Sequence, residues 1–240
     1  MLNPTLCAVC PARQGPLLCD LTPTQHVDLA AQVAPRRLAP REALFHPGQW
    51  PSFVYVLREG GLKLVREEGP GAGDGTVVEM VFPGDLVGLT ALLANEPFSL
   101  RAEALEPSAV CAIPAADFLR HFDGDPAFNR KVVGQITRKL GAARSLLLLR
   151  SHHDAASRLA NLLLDLDRRR LAGAAAGMAV TKADLGQMIA TAQETVFRLL
   201  TKFEKGGLLR REERRILLLD RTGLAQVATR PHNTGAQGFP

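Results

Sequence analysis

The sequence predicts an α+β fold: an N-terminal antiparallel β jelly roll, then one long helix, then a winged helix-turn-helix. Three observations carry this expectation. Between Leu38 and Pro114, short apolar runs alternate with Gly and Pro punctuation, at 53–58, 62–67, 76–82, 98–104 and 108–113. Short strands at that spacing fit an antiparallel sandwich or jelly roll. Across 129–150, Val133, Ile136, Leu140, Ala143 and Leu147 recur three and four residues apart, the pattern of a coiled-coil seam. From Thr181 onward, two amphipathic stretches at 182–189 and 193–205 precede two short β runs at 208–211 and 216–219.

Taken in order, the chain opens with a loop at 1–21 that holds Cys7, Cys10 and Cys19 among Pro4, Pro11, Gly15 and Pro16. A short helix is predicted over 22–33, where Thr22 caps and Pro23 occupies the first helical position. The strand region follows, with turns at Gly60-Gly61, 69–75 and Pro83-Gly84-Asp85. Helices are predicted at 115–121 and from Pro126 into the seam segment. The seam stripe has two readings, a face packed on its own domain or a dimer interface, with Arg130, Lys131, Gln135, Arg138, Lys139 and Arg144 on the polar surface. In a parallel pair, Lys139 falls at g and Arg144 at e, which sets like charges against each other across the two-fold axis.

A hinge is predicted at 151–154, with Asp154 as N-cap of a helix bearing Leu159, Leu162, Leu163 and Leu166. In the helix-turn-helix, Leu185, Ile189, Val196, Leu199, Leu200 and Phe203 form the buried face, and Gly206-Gly207 ends the second helix. The expected division is 1–21 cysteine-bearing loop, 22–125 jelly roll, 126–151 dimerisation helix, 152–230 winged helix-turn-helix and 231–240 tail.

The chain has 240 residues, 46% of them hydrophobic and 22% charged, which suits a globular protein of two small domains. No apolar run approaches the ~18 residues that span a bilayer, and no secretory signal is evident, so a cytoplasmic location away from membranes is expected. That compartment favours metal-ligating or redox cysteines over disulfides. The net charge of +5 is uneven: residues 151–240 carry 14 Lys+Arg against 9 Asp+Glu, while the first 150 carry 15 of each. A polyanion would therefore meet the C-terminal part. No P-loop, nucleophile elbow or paired-carboxylate pattern points to an enzyme.

The exposed face of the second helix carries Gln193, Glu194, Phe197, Arg198 and Thr201. An Arg can donate two bonds to guanine O6 and N7, and a Glu can accept from cytosine N4, so Glu194 and Arg198 suit base reading in a major groove. Gln193 and Phe197 flank them; Thr201, Lys202, Lys205, Arg210 and Arg211 are placed for phosphates. The four cysteines, Cys111 included, leave three readings open by spacing: an iron–sulfur cluster, a zinc site, or thiols that are redox-active or merely buried.

Residues 183–209, ADLGQMIATAQETVFRLLTKFEKGGLL, are similar to the DNA-binding region of the Crp/Fnr transcription factors. FPGDLVGLTALL at 82–93 and EPSAVCAIP at 106–114 resemble the cyclic-nucleotide-binding-like sensor domain of that family. SLLLLRSHHDAASRLANLLLDLDRR at 145–169 resembles its dimer-helix exit and hinge. The similarity keeps element order over nearly the whole chain and is strongest to the oxygen-sensing fumarate and nitrate reduction subgroup. It implies a homodimer that holds one [4Fe–4S] cluster per subunit through Cys7, Cys10, Cys19 and Cys111. It further implies an inverted-repeat operator related to TTGAT-N4-ATCAA, RNA polymerase as a partner, and release from DNA when oxygen destroys the cluster. A regulator that senses nitric oxide or redox state through thiols or zinc is the alternative, and a redox-responsive interaction module is another.

The chain departs from the subgroup in three places. Eight residues separate Cys10 from Cys19, a longer gap than the pattern. Phe197 stands where the subgroup often has Ser; it cannot hydrogen-bond a base but could pack on a thymine methyl. The cyclic-AMP-binding members use a Glu and an Arg-Ser pair, and those places fall near Leu89-Thr90-Ala91 and Phe98-Ser99. Without that Arg a cyclic phosphate lacks its main charge partner, so no cyclic nucleotide is expected.

Overall fold

Alternating apolar residues in the first half of the chain build two antiparallel sheets that share a core. The computed structural model describes residues 34–69, 75–152, 154–169, 177–212 and 215–229. The helix expected at 22–33, the cysteines at 7, 10 and 19, and the tail 231–240 lie outside them. One sheet has the order β1 (Ala34–Leu38), β8 (Ser108–Pro114), β3 (Phe53–Glu59) and β6 (Leu86–Val87). The other has β2 (Ala43–Phe45), β7 (Arg101–Ala104), β4 (Leu62–Arg66) and β5 (Thr76–Val81). Phe45, Tyr55, Leu57, Leu62, Ala102 and Val110 meet between them. Alternation then sends Val54, Val56 and Ile113 to the opposite face of the first sheet, toward the helices.

The strand expected at 98–104 starts only at Arg101, because Phe98 turns to the 48–49 backbone: its N–H donates to Gln49 O at 2.9 Å and its carbonyl accepts from Gly48 at 2.8 Å. Strands β1, β2 and β6 were not expected. They are two to five residues long, and their apolar pattern is too short to register as a period.

Helix α1 (Leu89–Ala94) follows β6, and α2 (Ala115–Gly124) leads into α3 (Pro126–His152). Asp125 Oδ1 accepts from the N–H groups of Ala127 and Phe128, so α3 begins on a side-chain cap with Pro126 at its first position. Two faces of α3 serve different ends. Phe128, Val132 and Gln135 are buried against the first sheet. Val133, Leu140 and Leu147 are 48%, 49% and 63% exposed among the described residues, and Ala143 is exposed as well. Ile136 lies between the faces, half-buried against the Val56–Phe128 cluster.

Two polar residues that periodicity placed on the outside of α3 belong to the inside. Gln135 accepts from Leu86 N–H at 3.1 Å and donates to Gly84 O at 3.1 Å. Lys139 donates to Leu86 O at 2.8 Å and pairs with Glu79 at 2.8 Å. They supply partners to a two-residue strand too short to satisfy its own backbone. The like-charge contact expected between Lys139 and Arg144 of a partner therefore loses its first member, since that ammonium is held within its own subunit. Gln135→Leu should lower stability by about 1–3 kcal/mol, because two buried backbone groups would lose their partners. Urea unfolding checks this, and an unchanged midpoint would refute it.

The C-terminal half folds as α4 (Ala155–Arg169), β9 (Met178–Ala179), α5 (Lys182–Met188), α6 (Gln193–Lys205), β10 (Leu209–Glu212), β11 (Arg215–Leu218) and α7 (Arg221–Ala228). Asp154 Oδ1 caps α4 through Ala156 and Ser157. Leu159, Leu163, Leu166, Leu185, Ile189, Val196, Leu200 and Phe203 form its core. Strand β9 was not expected either, and it adds a third strand to the wing, in the order β10-β11-β9. Helix α7 was also not expected. It is tied to α4 by Ser157 Oγ donating to Val227 O at 3.0 Å and Asn161 Nδ2 donating to Ala228 O at 3.1 Å.

The two halves meet at β5, an edge strand. Val77 N–H donates to Gln187 Oε1 at 2.9 Å, and Arg169 Nη2 donates to Met80 O at 2.8 Å. Side chains of the second half thus satisfy the open backbone edge of the first, the need that any uncovered edge strand presents. Val65, Val77 and Met80 pack into the same cluster as Leu162, Leu185 and Met188.

Candidate nucleic-acid interface and thiol site

The helix-turn-helix is built by local rules at three points. Thr181 accepts from Asp184 N–H at 3.0 Å while Asp184 accepts from Thr181 N–H at 3.2 Å, a reciprocal capping box that starts α5. Gly186 permits the close turn: a Cβ there would stand 2.6 Å from Thr191 O, the backbone that must pass over it. Ala190 takes a left-handed φ of 51°, a conformation that costs a non-glycine residue about 1 kcal/mol or more. Arg158 of α4 compensates by donating to Ile189 O at 2.9 Å and Thr191 Oγ1 at 3.0 Å, which clamps the turn.

That turn sets α6 with Val196, Leu200 and Phe203 inward and Gln193, Glu194, Phe197 and Arg198 exposed. All four sequence-predicted readers thus share one uncovered face. Arg198 donates to Thr195 Oγ1 at 3.3 Å, one turn back, and Glu194 projects beside it. Both have the length and exposure to reach a base edge.

The predicted phosphate residues divide. Lys202 and Lys205 are exposed at the end of α6. Thr201 is half-buried and its hydroxyl donates to Phe197 O at 2.9 Å. Arg210 pairs with Glu212 at 2.5 Å. Arg211 binds Glu204 through Nε at 2.8 Å and Nη2 at 2.5 Å, and its own N–H donates to Glu204 Oε1 at 2.8 Å. That side-chain bond from Arg211, with the backbone bond after it, holds the Glu204 carboxyl below its ordinary range. Arg210 and Arg211 therefore brace the wing, and much of their charge is already matched. One residue was missed: exposed Lys182 lies with Nζ 4.8 Å from the centroid of the Phe197 ring. Nothing in the sequence signals this, because the two residues sit on different helices.

Of the four predicted cluster ligands, Cys111 is within the described residues. It sits in β8, opposite Pro35 of β1 and Val56 of β3, half-buried on the helix-facing side of the sheet. Leu92, Leu93, Phe122 and Ile136 are part-buried neighbours in the same cluster. The chain that leads from Cys7, Cys10 and Cys19 enters β1 at Ala34, opposite Ala112, one position from Cys111. Among the described residues, no three His, Cys, Asp or Glu side chains gather as a metal site. No helix among them is long and apolar enough to cross a membrane.

The cyclic nucleotide-binding domain family matches residues 35–125, and the Crp-like helix-turn-helix domain family matches 157–227. The two matches stand in the order, and over the elements, in which the jelly roll and the winged helix are built. The chain belongs to the Crp/Fnr family. The transcriptional activator protein Anr of Pseudomonas aeruginosa is 29% identical over 197 residues, 80% of each chain. The fumarate and nitrate reduction regulatory protein of Escherichia coli is 29% identical over 199 residues, 80% of this chain and 77% of that protein. FixK2 from Bradyrhizobium japonicum shares the fold with a TM-score of 0.69 at 24% identity, over 81% of this chain and 96% of that one. This Crp/Fnr protein is a DNA-binding transcription regulator close to the fumarate and nitrate reduction subgroup, and not an enzyme.

Proposed function

We propose that this Crp/Fnr regulator adjusts transcription to low oxygen as a cytoplasmic homodimer whose assembly and operator binding depend on an iron–sulfur cluster. The observation that carries the reading is the position of Cys111. Its thiol lies on the sheet face that α3 covers, and Ala34, fifteen residues along the chain from Cys19, pairs with Ala112 next to it. Three thiolates on one loop and a fourth on a strand suit a [4Fe–4S] cluster, one per subunit, and the apolar surroundings of Cys111 suit it too. When bound, such a cluster ties its four thiolates together in a form that oxidants can break. Ile136 shares the packing cluster of Cys111 and stands at the margin of the exposed stripe Val133, Leu140, Ala143 and Leu147. A displacement at the thiol is thereby felt by the helix that offers the dimer seam.

On the DNA, Glu194 and Arg198 read base edges, with Gln193 beside them. Lys202 and Lys205 set the register on phosphates, and Thr201, Arg210 and Arg211 support that end of the interface. Two such helices on a two-fold dimer would enter major grooves about 34 Å apart, which suits an inverted repeat related to TTGAT-N4-ATCAA. The names of the relatives, a fumarate and nitrate reduction regulator among them, support an anaerobic role. RNA polymerase is the partner through which such a regulator acts. A cyclic nucleotide fits poorly. The jelly-roll cavity lined by Phe45, Thr90, Ala91, Glu96, Phe98 and Ser99 offers a phosphate no Arg or Lys among the described residues.

Purified without oxygen, the protein should contain about four iron and four sulfide per chain. Air should remove them and weaken operator binding, and Cys111→Ser should abolish iron retention. Zinc in place of iron, or DNA affinity unchanged by air, would favour a zinc or thiol sensor and overturn the proposal.

A further inference from the structure

We propose that Phe197 is a positioning residue: its ring holds Lys182 beside the reading face of α6, and Lys182 contacts a DNA phosphate from there. The inference rests on α6 being the helix that reads bases. Lys182 is exposed, one residue past the Thr181 cap, and its Nζ lies 4.8 Å from the centroid of the Phe197 ring. Phe197 is 46% exposed on the face that carries Glu194 and Arg198.

The kind of contact decides what the lysine can do. A carboxylate that fixes a cation also cancels it, as Glu204 does for Arg211 and Glu212 for Arg210. The negative face of an aromatic ring orients a cation and leaves its charge whole. Lys182 makes no ion pair among the described residues, so its charge stays available. Near the start of α6 it is a cation that is held in place and, among the described residues, unneutralised. A flexible ammonium would lose its rotamer freedom when it met a phosphate, and the ring removes part of that loss beforehand. Arg211 also approaches the ring, 5.4 Å from its centroid, so the ring is occupied from the wing as well. A side chain so engaged, with no hydrogen-bonding group, is better suited to place charge than to read a base. The chain has exchanged a base-edge contact for a backbone contact that is independent of sequence.

Operator affinity of the anaerobically purified full-length protein, followed by fluorescence anisotropy over a range of KCl, tests this. Lys182→Gln should flatten the dependence of log affinity on log salt by about 1.8 per dimer, one phosphate contact per subunit. Phe197→Leu keeps the bulk and removes the ring, and should weaken binding about two- to five-fold per subunit, while Phe197→Tyr should retain wild-type affinity. In the Lys182→Gln background, Phe197→Leu should have no further effect. An unchanged salt slope in Lys182→Gln would overturn the proposal. So would an equal loss from Phe197→Leu with or without Lys182, which would make the ring a base contact in its own right. Arg198→Ala, measured on operator and scrambled DNA alongside, keeps the premise separate. Retained discrimination there would remove Arg198 as a base reader, whereas the lysine and ring variants bear on positioning alone.

Discussion

Arg198→Ala should lower the preference for operator over scrambled DNA by roughly a thousandfold. One well-placed bidentate contact to guanine is worth about 1–3 kcal/mol of discrimination, and a two-fold dimer loses it twice, for about 4 kcal/mol in the middle of the range. The structure gives no reason for a stability change, because the guanidinium is exposed and its one bond among the described residues is to Thr195 Oγ1 at 3.3 Å. Binding to scrambled DNA should fall far less, since Lys182, Lys202 and Lys205 remain. Competition binding against both duplexes reads the ratio directly. If operator and scrambled DNA weaken in parallel, Arg198 is a phosphate contact and base reading lies elsewhere on α6.

The second large effect lies where the two halves join. Lys63 of β4 is the ion between two carboxylates, with Nζ 3.0 Å from Asp184 at the start of α5 and 3.5 Å from Glu103 of β7. All three side chains are nearly buried, and Asp184 is only 4% exposed. Lys63→Met keeps the aliphatic stem and strands both acids, a change that typically costs about 3–5 kcal/mol. The lower end is expected. Glu103 still faces Arg101, and Asp184 still receives the Thr181 N–H and hydroxyl. Thermal or urea unfolding measures the loss. Adding Asp184→Asn should recover part of it, because the stranded charge is then gone. If the double variant is no more stable than Lys63→Met alone, charge burial is not the cause.

Because Asp184 also closes the capping box of α5, the same contact sets how the helix-turn-helix sits on the sheet edge. Gln187 and Arg169 complete that attachment by bonding the backbone of β5. The seat of α6 therefore depends on the sheet of the jelly roll as well as on its own core.

Some of this was legible in advance because its cause is local. Three- and four-residue spacing marked α3, α4 and α6, and the cap Asp154 of α4 and the breaker Gly206-Gly207 of α6 stand within a turn of the residues they serve. The exposed face of α6 followed from its buried one: once Val196, Leu200 and Phe203 point inward, Glu194, Phe197 and Arg198 must point outward. The cysteine assignment is different in kind. It came from resemblance, and within the described residues only the position of Cys111 bears on it.

The sequence by itself determined the succession of strand region, long helix and helix-turn-helix with wing, the spacing of the stripe on α3 and the composition of the exposed face of α6. Each depends on residues within a few positions of one another, and periodicity records such relations. The tertiary structure alone decided which polar and charged side chains are engaged inside the chain and how. Lys139 turns to Glu79, Gln135 to the backbone of β6, Arg211 to Glu204 and Lys63 to Asp184, while Lys182 rests on an aromatic ring. A long polar side chain takes whatever partner folding brings within reach, and most of these partners lie on another element, often far along the chain.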